Sequence, residues 1–74
     1  MSQSITIIDI DVDSPVTYVT FQYNVDNRII TIGDNLDNTY TVHYPNNVSV
    51  ITDAAALAPL FQTHPELLTA LAVR

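Results

Sequence analysis

Residues 16–25, Val-Thr-Tyr-Val-Thr-Phe-Gln-Tyr-Asn-Val, alternate with a period of two over their whole length. Val19, Phe21, Tyr23 and Val25 fall on one side, and Tyr18, Thr20, Gln22 and Asn24 on the other. That is the pattern of a strand with one buried face and one partly solvated face. Any fold for this chain must therefore place a layer against the Val19, Phe21, Tyr23, Val25 side.

Flanking segments supply candidate strands to pair with it. Over residues 4–13, Ile5 and Ile7 share one parity and Ile8, Ile10 and Val12 the other, opposite Asp9, Asp11 and Asp13. A regular strand cannot bury both sets, so the pattern predicts a bulge or bend near Ile7 and Ile8, or a short initial piece that pairs elsewhere. Ser14-Pro15 predicts a turn, because proline lacks an amide donor and restricts the residue before it. Asp26-Asn27 predicts a two-residue hairpin into a strand over 28–32. The turn-forming series 33–38 precedes a strand over 39–44, with Tyr40, Val42 and Tyr44 on one side and Thr39, Thr41 and His43 on the other. After Pro45-Asn46-Asn47, residues 48–51 read either as a fifth short strand or as the approach to a helix.

From residue 53 the period changes. Ala54, Leu57, Ala58 and Phe61 recur at helical spacing behind Thr52 or Asp53 as the cap, predicting a helix over about residues 53–62. Pro59 predicts a kink or a restart with proline at the first helical position. Thr63-His64-Pro65-Glu66 has the spacing of a capping box, predicting a second helix over about residues 64–73. Leu67, Leu68, Leu71 and Ala72 form its apolar stripe, and Arg74 lies at the negative end of its dipole. The expected fold is α+β, one domain over residues 1–74: an antiparallel meander of four to five strands followed by one or two short C-terminal helices on one face.

A 74-residue chain is short of core, since domains of this size bury only ~60% of their unfolded surface. A single core then supplies roughly 3–5 kcal/mol unless disulfides, metals or partner chains add to it. The sequence has no cysteine. It also has no lysine, and eight acidic residues against Arg28 and Arg74 give a net charge of −6, which opposes binding to nucleic acid phosphates. Charged residues form 14% of the chain, against about 25% in ordinary soluble domains. No stretch reaches the ~20 apolar residues of a membrane span, and no positive region precedes Ile5 as in a secretory signal. Asn47-Val48-Ser49 then matches a glycosylation acceptor by chance.

The chemistry-bearing residues point away from catalysis. Asp9, Asp11 and Asp13 match the first three ligand positions of an EF-hand, but Ser14 stands where glycine is needed and Thr20 where the bidentate glutamate belongs. A charged strand face explains them better. Asp34, Asn35, Asp37 and Asn38 have oxygen ligands for calcium, yet the same residue types cap their own turns. His43 and His64 lack a sequence neighbour that would make a metal or catalytic pair and are expected on the polar surface. Ser4, Ser14 and Ser49 have no glycine-flanked elbow. No catalytic, cofactor or metal residue is assigned. Tyr18 with Thr20 and Gln22, and Tyr40 and Tyr44, are the candidate contact residues, because tyrosine combines a large buried area with a polar tip.

Rich in Thr, Asn, Val and Tyr, the composition resembles that of bacteriophage head and tail components. The resemblance implies a structural subunit located in a virion. The small core, the low charge content and the Tyr18, Thr20, Gln22 face point to a non-enzymatic assembly subunit whose partners are copies of itself or other structural proteins, and the charge balance and lack of a long apolar run to no direct nucleic acid or membrane binding. Two other readings stand beside it: an acidic inhibitor that occludes a basic nucleic-acid-binding surface, with a cytoplasmic location, and a small calcium-dependent binding module.

Overall fold

A computed structural model describes residues 4–13 and 15–73. Five strands, β1 (Ile5–Asp13), β2 (Val16–Tyr23), β3 (Ile29–Asp34), β4 (Thr39–His43) and β5 (Ser49–Asp53), precede two helices, α1 (Ala54–Thr63) and α2 (Glu66–Leu71). The strands form one antiparallel sheet in the order β1-β2-β3-β4-β5, so the expected α+β meander is present and residues 49–51 belong to the fifth strand, with Val48 just before it. Both helices pack on one face of it.

Register explains the phase change in β1. Ile5 pairs with Tyr23 and Ile7 with Phe21, then the register shifts and Asp9 pairs with Thr20 and Ile10 with Val19. Ile8 is the extra residue, and the bulge returns the apolar parity of β1 to the helix side. Ile5 and Ile7 reach the core, whereas Ile8, Ile10 and Val12 stay exposed along the sheet margin.

The core is a layer of Val19, Phe21, Ile30, Ile32 and Val42 from the sheet against Phe61, Leu67, Ala70 and Leu71 from the helices. Tyr40 and Phe61 meet at a ring-centroid distance of 5.5 Å, joining β4 to α1. The buried Thr17 hydroxyl donates to the carbonyl of Val73 and ties the chain after α2 to β2.

Several local expectations are corrected. The β2–β3 connection is not a two-residue hairpin, because the Tyr23 amide donates to the Arg28 carbonyl at 2.9 Å and leaves residues 24–27 as the loop. The Asn24 amide is drawn to the Ser4 carbonyl at 3.0 Å, and Asn27 takes φ 60°. Val25 therefore sits at the loop tip, 67% exposed, rather than in the core. At the other end β3 runs on through Gly33 and Asp34, which leaves 35–38 as the turn.

Asp53 caps α1, its carboxylate accepting from the Ala56 amide at 2.9 Å. The helix then passes through Pro59 without restarting. The proline removes the donor that would reach the Ala55 carbonyl, and Ala55 lies on the solvent side where water can replace it. The stripe that meets the sheet is Leu57, Leu60 and Phe61, with Ala54 exposed.

No capping box forms. Thr63 ends α1 and its hydroxyl donates back to the Pro59 carbonyl at 2.9 Å, while α2 starts behind Pro65 without a side-chain cap. His64, expected at the surface, is buried between the helices, with its Nδ1 3.5 Å from a Glu66 carboxylate oxygen. Its amide bonds to the Leu60 carbonyl at 2.8 Å and its carbonyl to the Leu67 amide at 3.1 Å. This tight turn sets the rotation of α2 so that Leu67, Ala70 and Leu71 face the sheet, and Leu68 and Ala72 face outward. Arg74 lies outside the described residues.

Candidate interaction surface

With the helices on one face, the opposite face of the sheet is open. Strand alternation places on it Asp9, Asp11 and Asp13 from β1, Tyr18, Thr20 and Gln22 from β2, Thr31 and Gly33 from β3, Thr41 and His43 from β4, and Ser49 and Ile51 from β5. Residues in register form rows across the strands, and one row runs Asp9, Thr20, Thr31, His43, Ser49.

Several polar groups on this face are bonded to one another or to adjoining loop residues. The Thr20 and Thr31 hydroxyls lie 3.0 Å apart. Asn35 exchanges hydrogen bonds with Thr41, donating at 2.9 Å and accepting at 3.1 Å, and also donates to the Thr39 hydroxyl at 3.2 Å. The Gln22 amide donates to the Asn27 side-chain carbonyl at 3.2 Å. A polar surface with its hydrogen bonds already made loses less when water is removed than one that depends on water for its partners.

Tyr18 lies across Gly33, its register partner. A Cβ at residue 33 would come within 2.5 Å of the Tyr18 ring, so the ring can lie flat only over glycine. This explains the single glycine of the chain by close approach and not by backbone dihedral.

The candidate contact residues divide among three places. Tyr18, Thr20 and Gln22 share the open face. Tyr40 lies on the helix side against Phe61, and burial pushes its hydroxyl pKa up from the usual tyrosine value. Tyr44 follows β4 and lines a shallow apolar depression of about 500 Å³ with Arg28, Pro45, Asn46 and Val48. Arg28 there is held by Asp26 at 2.8 Å and lies over the Tyr23 ring at 4.9 Å. Burial also raises the pKa of Tyr23, with the nearby Arg28 charge opposing the shift.

One contact was hidden from sequence reasoning. His43 Nδ1 lies 2.6 Å from the Ser49 hydroxyl, across the turn between β4 and β5. The hairpin register pairs the two residues directly, so a correct β4–β5 alignment would have found it. Both side chains are exposed.

The acidic residues do not converge. Asp9, Asp11 and Asp13 project at intervals of ~6.6–6.8 Å along one strand, whereas oxygens around one calcium ion each lie ~2.3–2.6 Å from it. In the β3–β4 turn, Asp34 accepts from the Leu36 amide at 2.9 Å and Asp37 from the Thr39 amide at 3.1 Å. A further bond from the Thr39 hydroxyl holds the Asp37 carboxyl below the usual carboxylate range. Among the described residues no group of three His, Cys, Asp or Glu side chains could hold a metal. Calorimetric titration with calcium is expected to give no saturable heat in the micromolar range. A one-site isotherm abolished by Asp11→Asn would overturn that expectation.

No known protein family, curated protein or solved structure matches the chain. What distinguishes its surface is the apolar content of the two sheet margins. Ile8, Ile10 and Val12 are exposed on β1, and Val50 and Ile51 on β5. Among the described residues, no helix is long and apolar enough to cross a membrane.

Proposed function

We propose that the protein is a non-enzymatic structural or assembly subunit that works in a homo-oligomer or larger protein assembly, such as a bacteriophage head or tail. The observation that carries this reading is the exposure of large apolar side chains along both edge strands of a sheet whose open face carries no carboxylate or guanidinium across β2, β3 and β4. A monomer leaves those side chains and two rows of strand backbone in water, and association removes both from it. A core this small also gains stability from any partner that binds only the folded chain.

Light scattering across a dilution series tests the proposal. A mass above the 8.2 kDa of one chain is expected, persisting or increasing in high salt because apolar burial is strengthened as charge repulsion is screened. A monomer at millimolar concentration that captures a basic partner only at low salt would favour the acidic inhibitor instead.

A further inference from the structure

The two margins of the sheet differ in a way that selects one of them for self-association. On β1, Asp9, Asp11 and Asp13 project from the open face. If two β1 strands paired antiparallel, the carboxylates of one copy would lie among those of the other, and like charges set across a strand pair are destabilising. Residues Ser49, Val50, Ile51 and Thr52 of β5 carry no charge. Asp53 completes the strand, and its carboxylate is engaged by the Ala56 amide.

Backbone direction is fixed by the β4–β5 ladder. The Tyr44 amide donates to the Val48 carbonyl at 2.8 Å, and hydrogen-bonded pairs alternate along an antiparallel ladder. Val48, Val50 and Thr52 therefore turn their amides and carbonyls toward β4, while Ser49, Ile51 and Asp53 turn theirs outward. Ile51 is also 70% exposed, more than any other large apolar side chain among the described residues.

Building on the assembly reading above, we infer that β5 pairs antiparallel with β5 of a second copy, about a two-fold axis at Ile51, to give a continuous ten-stranded sheet. The Ile51 amide and carbonyl bond to those of the partner's Ile51, and Ser49 lies opposite the partner's Asp53. The two isoleucine side chains meet across the axis on the open face, and Val50 meets the partner's Thr52 on the helix side. Each Asp53 stands two residues from the axis, so the two carboxylates are ~13 Å apart at ~3.3 Å per residue, beyond the ~8 Å screening length of physiological salt. The pairing is self-complementary and closes after two copies, the commonest arrangement of soluble oligomers.

The full chain has no cysteine, so single introduced thiols report the geometry directly. Hydrogen-bonded antiparallel pairs have Cα atoms ~5.5 Å apart, within the ~4.4–6.8 Å that a disulfide spans. Ile51→Cys is expected to form a covalent dimer under mild oxidation. Val25→Cys, of similar exposure but in a loop, and Ile10→Cys, on the β1 margin, are expected to stay monomeric on the same non-reducing gel. Ile51→Lys is expected to lose the oligomer by light scattering while keeping the parent far-ultraviolet circular dichroism, because the side chain is at the surface and meets its own charge across the axis. An oligomeric parent whose mass survives Ile51→Lys, with cross-linking at Ile10→Cys in place of Ile51→Cys, would overturn the β5 interface and leave the assembly reading intact. A parent that is monomeric throughout would overturn the β5 interface, and one that also binds no other subunit would overturn the assembly reading.

Discussion

Phe21→Ala is expected to lower the stability of the protein by ~3–5 kcal/mol, the range for truncating a buried phenylalanine. Phe21 is fully buried at the centre of β2, between Ile7 on β1 and Ile30 on β3. Its ring also makes an edge contact with Tyr23, at a centroid distance of 5.6 Å. The substitution removes contacts from strands on both sides at once, and neighbours anchored in a hydrogen-bonded sheet cannot collapse far into the space left behind. A core of this size supplies only roughly 3–5 kcal/mol, so the isolated variant is expected to be largely unfolded at room temperature. Thermal unfolding followed by circular dichroism checks this, since ~1 kcal/mol moves the midpoint of a small domain by ~4–8 °C. A midpoint within a few degrees of the parent would show that Phe21 is not a core residue.

Leu67→Ala is expected to cost ~2–5 kcal/mol and to release α2 from the sheet. Helix α2 has six residues, far fewer than the ~12–15 needed for a helix to be even marginal alone in water. It also lacks a side-chain cap. Packing of Leu67, Ala70 and Leu71 therefore holds it, and Leu67 is the fully buried member of that set. Leu68→Ala, one position along and exposed, is expected to stay within ~0.5 kcal/mol of the parent. Denaturant unfolding of the two variants tests both the packing of α2 and its rotation. Equal losses at Leu67 and Leu68 would mean that the helix presents a different face.

Assembly modifies how both results are read. If subunits pair in solution, the apparent stability of each variant rises with protein concentration, because only folded chains associate. The unfolding measurements are therefore best made at several concentrations, and a midpoint that climbs with concentration would itself support association.

Local pattern alone determined most of the element types, their order and the apolar side of β2 and β4, and left residues 48–51 open between a strand and the approach to a helix. The alternation over 16–25 placed Val19 and Phe21 in the core, and the phase change after Ile7 marked where β1 is irregular, which the register shift resolves as a bulge that brings Ile5, Ile7, Ile10 and Val12 to one side. A cap at Thr52 or Asp53 was legible because a short polar side chain before a helical period has one nearby set of amides to accept from, and the fold selects Asp53. Tertiary structure decided what depends on partners distant in sequence. Val25 has strand parity but lies in a loop, because Asn24 bonds back to Ser4 and Tyr23 closes with Arg28. Pro59 stays inside α1 because Leu57, Leu60 and Phe61 hold both halves of the helix against one sheet, and the exposed carbonyl it orphans meets water. Which of two overlapping stripes α2 buries was settled by the turn through His64, not by hydrophobicity, since Leu67 and Leu71 belong to both. The open face could be assembled only once the register was known: Tyr18 needs Gly33 opposite it, and His43 needs Ser49, and neither pairing is written within one strand.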